Sequence, residues 1–321
     1  MAVHWLRRSV LAAAGVSAAL LLAGCGSSTI ESALKPERFI AFGDGFSDVG
    51  QVGGARYTIN DGSSANWTQE LAGIYNLKLT AASVGGTSYA QGNARVSAKP
   101  DAAGSASTPT VAEQINTFLA SGNFKESDVV LIGAGASDIV ANMAAVTAGT
   151  QTPAQLLANS QQAGRDLGAQ VLRTIAAGAK YVVVSGSYNL GRSPWAKAIK
   201  QEDLLEQASS KFNEAFLVSM VDQGNKVLYI DSAYYFNLVT ASPSSYSFDT
   251  DNAATPVCTA VDAGAGIGIG AGQLNSALCT PSTLLPGANA SKYIFADSLY
   301  FTPTAQRLFG VYAYDRLHAR W

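Results

Sequence analysis

Five short apolar runs alternate along this chain with longer stretches of helical periodicity, and that alternation restricts the folds open to it. The runs are Arg38–Phe42, Leu77–Ala81, Asp128–Ile132, Tyr181–Ser185 and Lys226–Asp231. They are rich in Val, Ile, Leu and Tyr, and several are continuously apolar, as strands buried on both faces of a parallel sheet are. Between and after them, Trp67–Tyr75, Val111–Ala120, Pro153–Ala177, Glu202–Gln223 and Pro303–Leu317 read as helices. Pro153–Ala177 has proline at its start and Gly178 beyond its end, the usual helix punctuation. The pattern predicts an α/β protein, a three-layer α/β/α sandwich around a mostly parallel five-stranded sheet. Ser97–Thr110 and Ala241–Ala290 read as loops. The second contains DAGAGIGIGAGQ at 262–273, too rich in glycine to pack as a helix. No internal repeat or second domain is visible.

The N-terminus carries an export signal. Arg7 and Arg8 form a positive region, followed by an apolar stretch from Val10 to Ala23 that is short for a bilayer span. It ends in Leu21-Leu22-Ala23-Gly24-Cys25, which resembles a bacterial lipobox. That resemblance implies acylation of Cys25, which becomes the first residue of the mature chain. The alternative is an ordinary cleaved signal that happens to hold a cysteine. Gly26 rather than aspartate follows, which in lipoproteins implies transport onward to the outer membrane. The expected organisation is a signal peptide at 1–24, a lipidated tether at 25–36 and one domain at 37–321. The expected location is the bacterial cell envelope, with the membrane as partner through acylated Cys25.

Charged residues make up 14% of the chain, with a formal net charge of -2 and no basic patch, so nucleic acid is excluded as a partner. Beyond Cys25 the chain has Cys258 and Cys279, which bracket the glycine-rich stretch. In an exported chain these are expected to form a disulfide; two free buried thiols are the alternative.

Past the first apolar run, Phe42-Gly43-Asp44-Gly45-Phe46-Ser47-Asp48-Val49-Gly50 resembles the first block, FGDSLSDxG, of the SGNH/GDSL hydrolases. The second family block, roughly NFAxGGA, corresponds to Ala82-Ser83-Val84-Gly85-Gly86-Thr87. The third, GAND-like, corresponds to Gly135-Ala136-Ser137-Asp138, and the last, DxxHPT, to Asp297-Ser298-Leu299-Tyr300-Phe301-Thr302-Pro303. Asn189-Leu190-Gly191-Arg192-Ser193-Pro194 is similar to the family's DLGxTP. The layout resembles the phospholipase/lecithinase/haemolysin-like branch. It implies the flavodoxin-like SGNH hydrolase fold and a site at the carboxyl ends of the strands.

In that family a serine attacks the ester, the histidine of DxxH takes its proton and the aspartate orients the histidine. Backbone N–H of the serine, the second-block glycine and the third-block asparagine hold the oxyanion. Here those positions are Gly45, Tyr300, Asp297, Gly86 and Ser137. Glycine has no nucleophile, and losing one member of such a unit lowers the rate by on the order of a millionfold. The chain has two histidines, His4 in the signal and His318 at the end of the last helix. His318 suits a helix carboxyl terminus and not the DxxH position.

Three functions remain open. The chain is a degenerate, surface-anchored member that binds an acyl or acetylated ligand. Alternatively, it is an active carboxylester hydrolase with a relocated nucleophile such as Ser47, whose other expected role is to N-cap a helix starting near Asp48. The third reading is an interaction lipoprotein whose loop Ala241–Ala290 contacts another envelope protein. Asp44, Asp48, Asp138 and Asp297 could gather around a cation. Asp44 and Asp138 belong to blocks that need none, so no metal and no cofactor are expected.

Overall fold

The computed structural model describes residues 32–62 and 65–321. The export signal and Cys25 lie outside the described residues. From Leu34 to Trp321 the chain forms one compact unit.

Four parallel strands, β1 (Arg38–Gly43), β2 (Asp128–Gly133), β3 (Tyr181–Ser185) and β4 (Val227–Tyr229), lie in the order β1-β2-β3-β4. Every residue of β2 is buried, which explains its continuous apolar run. The helices are α1 (Trp67–Ile74), α2 (Val111–Ser121), α3 (Ala136–Thr147), α4 (Pro153–Ala176), α5 (Pro194–Ile199), α6 (Glu202–Ser219), α7 (Ser232–Ala241) and α8 (Pro303–Arg320). They sheathe the sheet in a three-layer sandwich; α4 packs on α6, and α1 on α8. Thr110 and Thr152 cap α2 and α4 through reciprocal bonds with Glu113 and Gln155. α3 starts without a side-chain cap, from Gly135 at φ 127°. That start hid the helix from sequence inspection.

The expected strand Leu77–Ala81 does not form, so the sheet has four strands among the described residues and not five. A short turn at Ala82–Val84 closes on left-handed Gly85 and brings residues 87–91 alongside β1 instead. Ala41 N–H donates to the Thr87 carbonyl at 3.1 Å, and Tyr89 N–H to the Ala41 carbonyl at 2.7 Å. Ala81 keeps a single bridge, to Ser88.

Because all strands run the same way, the sheet has two distinct edges. At its carboxyl edge Gly43, Gly133 and Ser185 stand in register. At its amino edge Leu34 enters, its N–H bonded to the carbonyl of the terminal Trp321.

The excursion Ala241–Ala290 consists of short turns and isolated bridges. Cys258 and Cys279 form a disulfide with Cα atoms 5.9 Å apart. The pair packs with Ile59, Val257 and Ala296 in a small satellite core.

Candidate functional site

β1 ends at Gly43 and the chain turns at once. Asp44 N–H donates to the Gly133 carbonyl at 3.0 Å, and Ser47 N–H to the Asp44 carbonyl at 3.0 Å. The Asp44 carboxylate accepts the N–H groups of Phe46 at 3.1 Å and Ser137 at 3.4 Å. This self-capping turn stands where a helix near Asp48 was expected. The Asp48 carboxylate accepts Gly50, Gln51 and Gly92 N–H, each at 2.8 Å, and so ties the turn to the segment beside β1.

Ser47 therefore caps no helix. Its side chain is fully buried, its hydroxyl accepting from Trp67 Nε1 at 3.3 Å and lying 3.5 Å from the Gly133 carbonyl. Neither partner is a base.

At Gly45 the missing side chain has been replaced in space. A Cβ added there would lie 2.5 Å from the Tyr300 hydroxyl and 2.7 Å from its Cζ. The phenol of Tyr300, 2% exposed, thus occupies the volume a serine side chain would need. Tyr57 packs against it, ring centroids 4.9 Å apart, and its hydroxyl fills the space where a side chain on Gly92 would go. Two phenols over two glycines close the centre, and residues 41–50 are all buried.

Asp297, wholly buried, accepts backbone N–H groups from Leu299 at 2.7 Å, Tyr300 at 2.6 Å and Ser276 at 2.7 Å. Tyr300 meets Asp297 through its backbone N–H and not through its hydroxyl. Through Ser276, the disulfide-closed excursion helps fix this carboxylate. Ser137 is buried in the first turn of α3, and its hydroxyl has no partner. Asp138 points away, pairing with Arg95 at 3.3 Å and accepting Val96 N–H at 2.9 Å.

Gly86 is not brought to the centre. Its N–H donates to the Ala81 carbonyl at 2.9 Å, and a side chain there would face Thr80. The pattern FAxGGA also fits Tyr89-Ala90-Gln91-Gly92-Asn93-Ala94, and in space Gly92 is the glycine that reaches the site. Gly92 N–H is committed to Asp48. Tyr57 and Gly92 are the two site residues that sequence reasoning missed. The second fit of the block pattern was the one signal that could have found Gly92.

Burial dominates the electrostatics. Desolvation pushes Asp44 up to about 7, against opposing bonds from Phe46 and Ser137 N–H, and Asp48 up to about 6. Desolvation also raises Asp138 and Asp297. Tyr300 is raised well above the usual phenol range, first by desolvation and then by Asp44, Tyr57 and Asp297. A phenol so placed keeps its proton at neutral pH. His318 sits in the last turn of α8, its ring 5.5 Å from Tyr314. Among the described residues no group of His, Cys, Asp or Glu is arranged to hold a metal ion. The arrangement around Gly45 and Tyr300 offers buried turns and packed rings.

No curated protein matches the chain. Among solved structures, one crystal structure aligns over 89% of this chain and 98% of its own, at 12% identity and a TM-score of 0.46. The model of the GDSL-like Lipase/Acylhydrolase family matches residues 39–311, most of the chain. The chain therefore belongs to the GDSL-like lipase/acylhydrolase family.

Proposed function

We propose that this chain is a catalytically degenerate GDSL protein, held at the bacterial cell envelope by acylated Cys25, which acts by binding a ligand or partner and not by ester hydrolysis. One observation carries the reading: the Tyr300 phenol lies where a side chain on Gly45 would project. Nucleophile, base and the space for an acyl group are lost together. Oxyanion-hole donors alone leave roughly a thousandfold or more over water, far below a working esterase.

An acyl or acetylated ligand reaching the Gly45 N–H has to displace the Tyr57–Tyr300 pair. A partner protein binding the excursion Ala241–Ala290 does not. The alternative, an active hydrolase using Ser47, needs that serine exposed and beside a base. Its indole and carbonyl neighbours supply neither.

The test is hydrolysis of short-chain nitrophenyl esters by the purified full chain, with fluorophosphonate labelling in parallel. Turnover at buffer background and an unlabelled chain are expected. Robust turnover that vanishes in Ser47→Ala would sink the reading. Gly45→Ser/Ser137→Asn/Tyr300→His then asks whether the frame still supports chemistry, and no single reversion is expected to do so.

A further inference from the structure

We infer that the amino-edge face of the sheet, opposite the degenerate site, is a docking surface for the anionic phospholipid membrane to which the chain is tethered. The inference rests on the lipid-anchor reading only for where the chain is held. Topology collects this face from five places: the entry at Leu34, the turns before β2, β3 and β4, and the end of α8. Direct contacts knit it together. Leu34 N–H bonds the Trp321 carbonyl, the Trp321 ring lies 5.1 Å from Tyr181, and the Arg320 guanidinium donates to the Gly224 carbonyl.

Three features fit a lipid surface. First, the tether begins here. The nine residues Cys25–Ala33 span at most about 32 Å when extended, so an anchored Cys25 keeps this face near the bilayer. Second, α6 ends on this face, where Val218 in its last turn and Val221 in the turn just beyond it are 74% and 76% exposed. Third, the charge is cationic on a protein of net negative charge: Lys125, Lys180, Lys226 and Arg320 stand against Glu126 and Asp222, while Lys35 and Glu37 offset each other beside the tether.

Lys180 and Lys226 also flank a cavity of about 450 Å³ whose wall includes Tyr181 and Asn225, an opening that suits a phosphate headgroup. Lys180 reaches Glu126, an exposed ion pair of little strength that a lipid phosphate can replace. Each lysine near an anionic surface contributes about 1 kcal/mol, and exposed apolar side chains add burial in the interface. Docking this face points the Gly45–Tyr300 end away from the membrane, towards whatever the protein binds.

The experiment couples the mature chain, through the Cys25 thiol, to a maleimide lipid in vesicles of phosphatidylethanolamine and phosphatidylglycerol containing brominated acyl chains. Trp321 fluorescence is then read, with Trp321→Phe as the blank; Trp67 and Trp195 are buried. Quenching of Trp321 is expected. The docked-to-undocked ratio should fall about fivefold for each of Lys180→Gln and Lys226→Gln, and about 25-fold for the pair. It should fall again in Val218→Asp/Val221→Asp and at high salt. Both variants alter exposed positions, and an unchanged urea midpoint verifies their folding. Unquenched Trp321, or equal quenching on phosphatidylcholine vesicles, overturns the docking face. Chemical coupling bypasses acylation in the cell, which the mass of the Cys25 peptide from membranes reports separately. An unmodified Cys25 removes the natural anchor and leaves the docking result standing.

Discussion

Around the ends of β1 and the last block, three buried carboxylates hold turns together, while beside them two phenols occupy the space over two glycines. Asp44, Asp48 and Asp297 each accept two or three backbone N–H groups. Gly45, Ser137 and Tyr300 share no hydrogen bond with one another, and Tyr57 completes the fill. The difference teaches why the family blocks stay readable here although Gly45 and Tyr300 depart from their pattern. The aspartates have a second occupation in folding, since each satisfies backbone donors that would otherwise be buried and unpaired. A nucleophile has no such occupation, so its replacement by glycine leaves the turn intact.

That contrast breaks most visibly at Asp297. Asp297→Ala strands three buried N–H groups, and a loss of about 4 kcal/mol in urea unfolding is expected. A loss under about 1 kcal/mol would mean the frame does not depend on this carboxylate.

Gly45→Ser should lower stability by about 1–3 kcal/mol through overpacking against Tyr300. Combined with Tyr300→Ala the two changes should relieve each other. A double-mutant cycle measures this, and strict additivity would deny the shared volume.

Titration sharpens the comparison from another side. Asp44 is raised to about 7 and Asp48 to about 6, so the folded state binds protons that the unfolded state has released. Stability contributed by these groups is fully present below about pH 4 and is lost as pH rises through about 7. Each adds a slope of up to about 1.4 kcal/mol per pH unit within its window. Asp44→Asn should flatten the upper part of the profile, and an unchanged slope between about pH 6 and 7 would count against it.

The smallest effect belongs to Ser47→Ala, which removes one bond to Trp67 and should cost about 1 kcal/mol with no change in ester turnover.

Much of the fold was legible because buried parallel strands and capped helices leave local marks. β1 to β3 and the helices α1, α2, α4 and α8 appear within a residue or a few of their expected bounds. Leu77–Ala81 misled because a short apolar run does not reveal whether the partner strand's edge is already taken; residues 87–91 take it. The frame of the site was legible for the same local reason, in its Gly-Asp and Asp-x-x spacings. The fill was not. Tyr57 reaches Gly92 and Tyr300 only through the fold, and the glycine in each pair shows no trace of what covers it.

The interlock of Gly45 with Tyr300 also constrains which substitutions the site accepts. A side chain at position 45 and the phenol of Tyr300 claim one volume, so each can be introduced beside the other only at a cost in packing. The less costly order of substitution is the same in both directions, with a small residue at one position before the large change at the other. Such a pair behaves as a ratchet: once closed, it reopens only through two coordinated substitutions, since either one alone leaves a clash or a void.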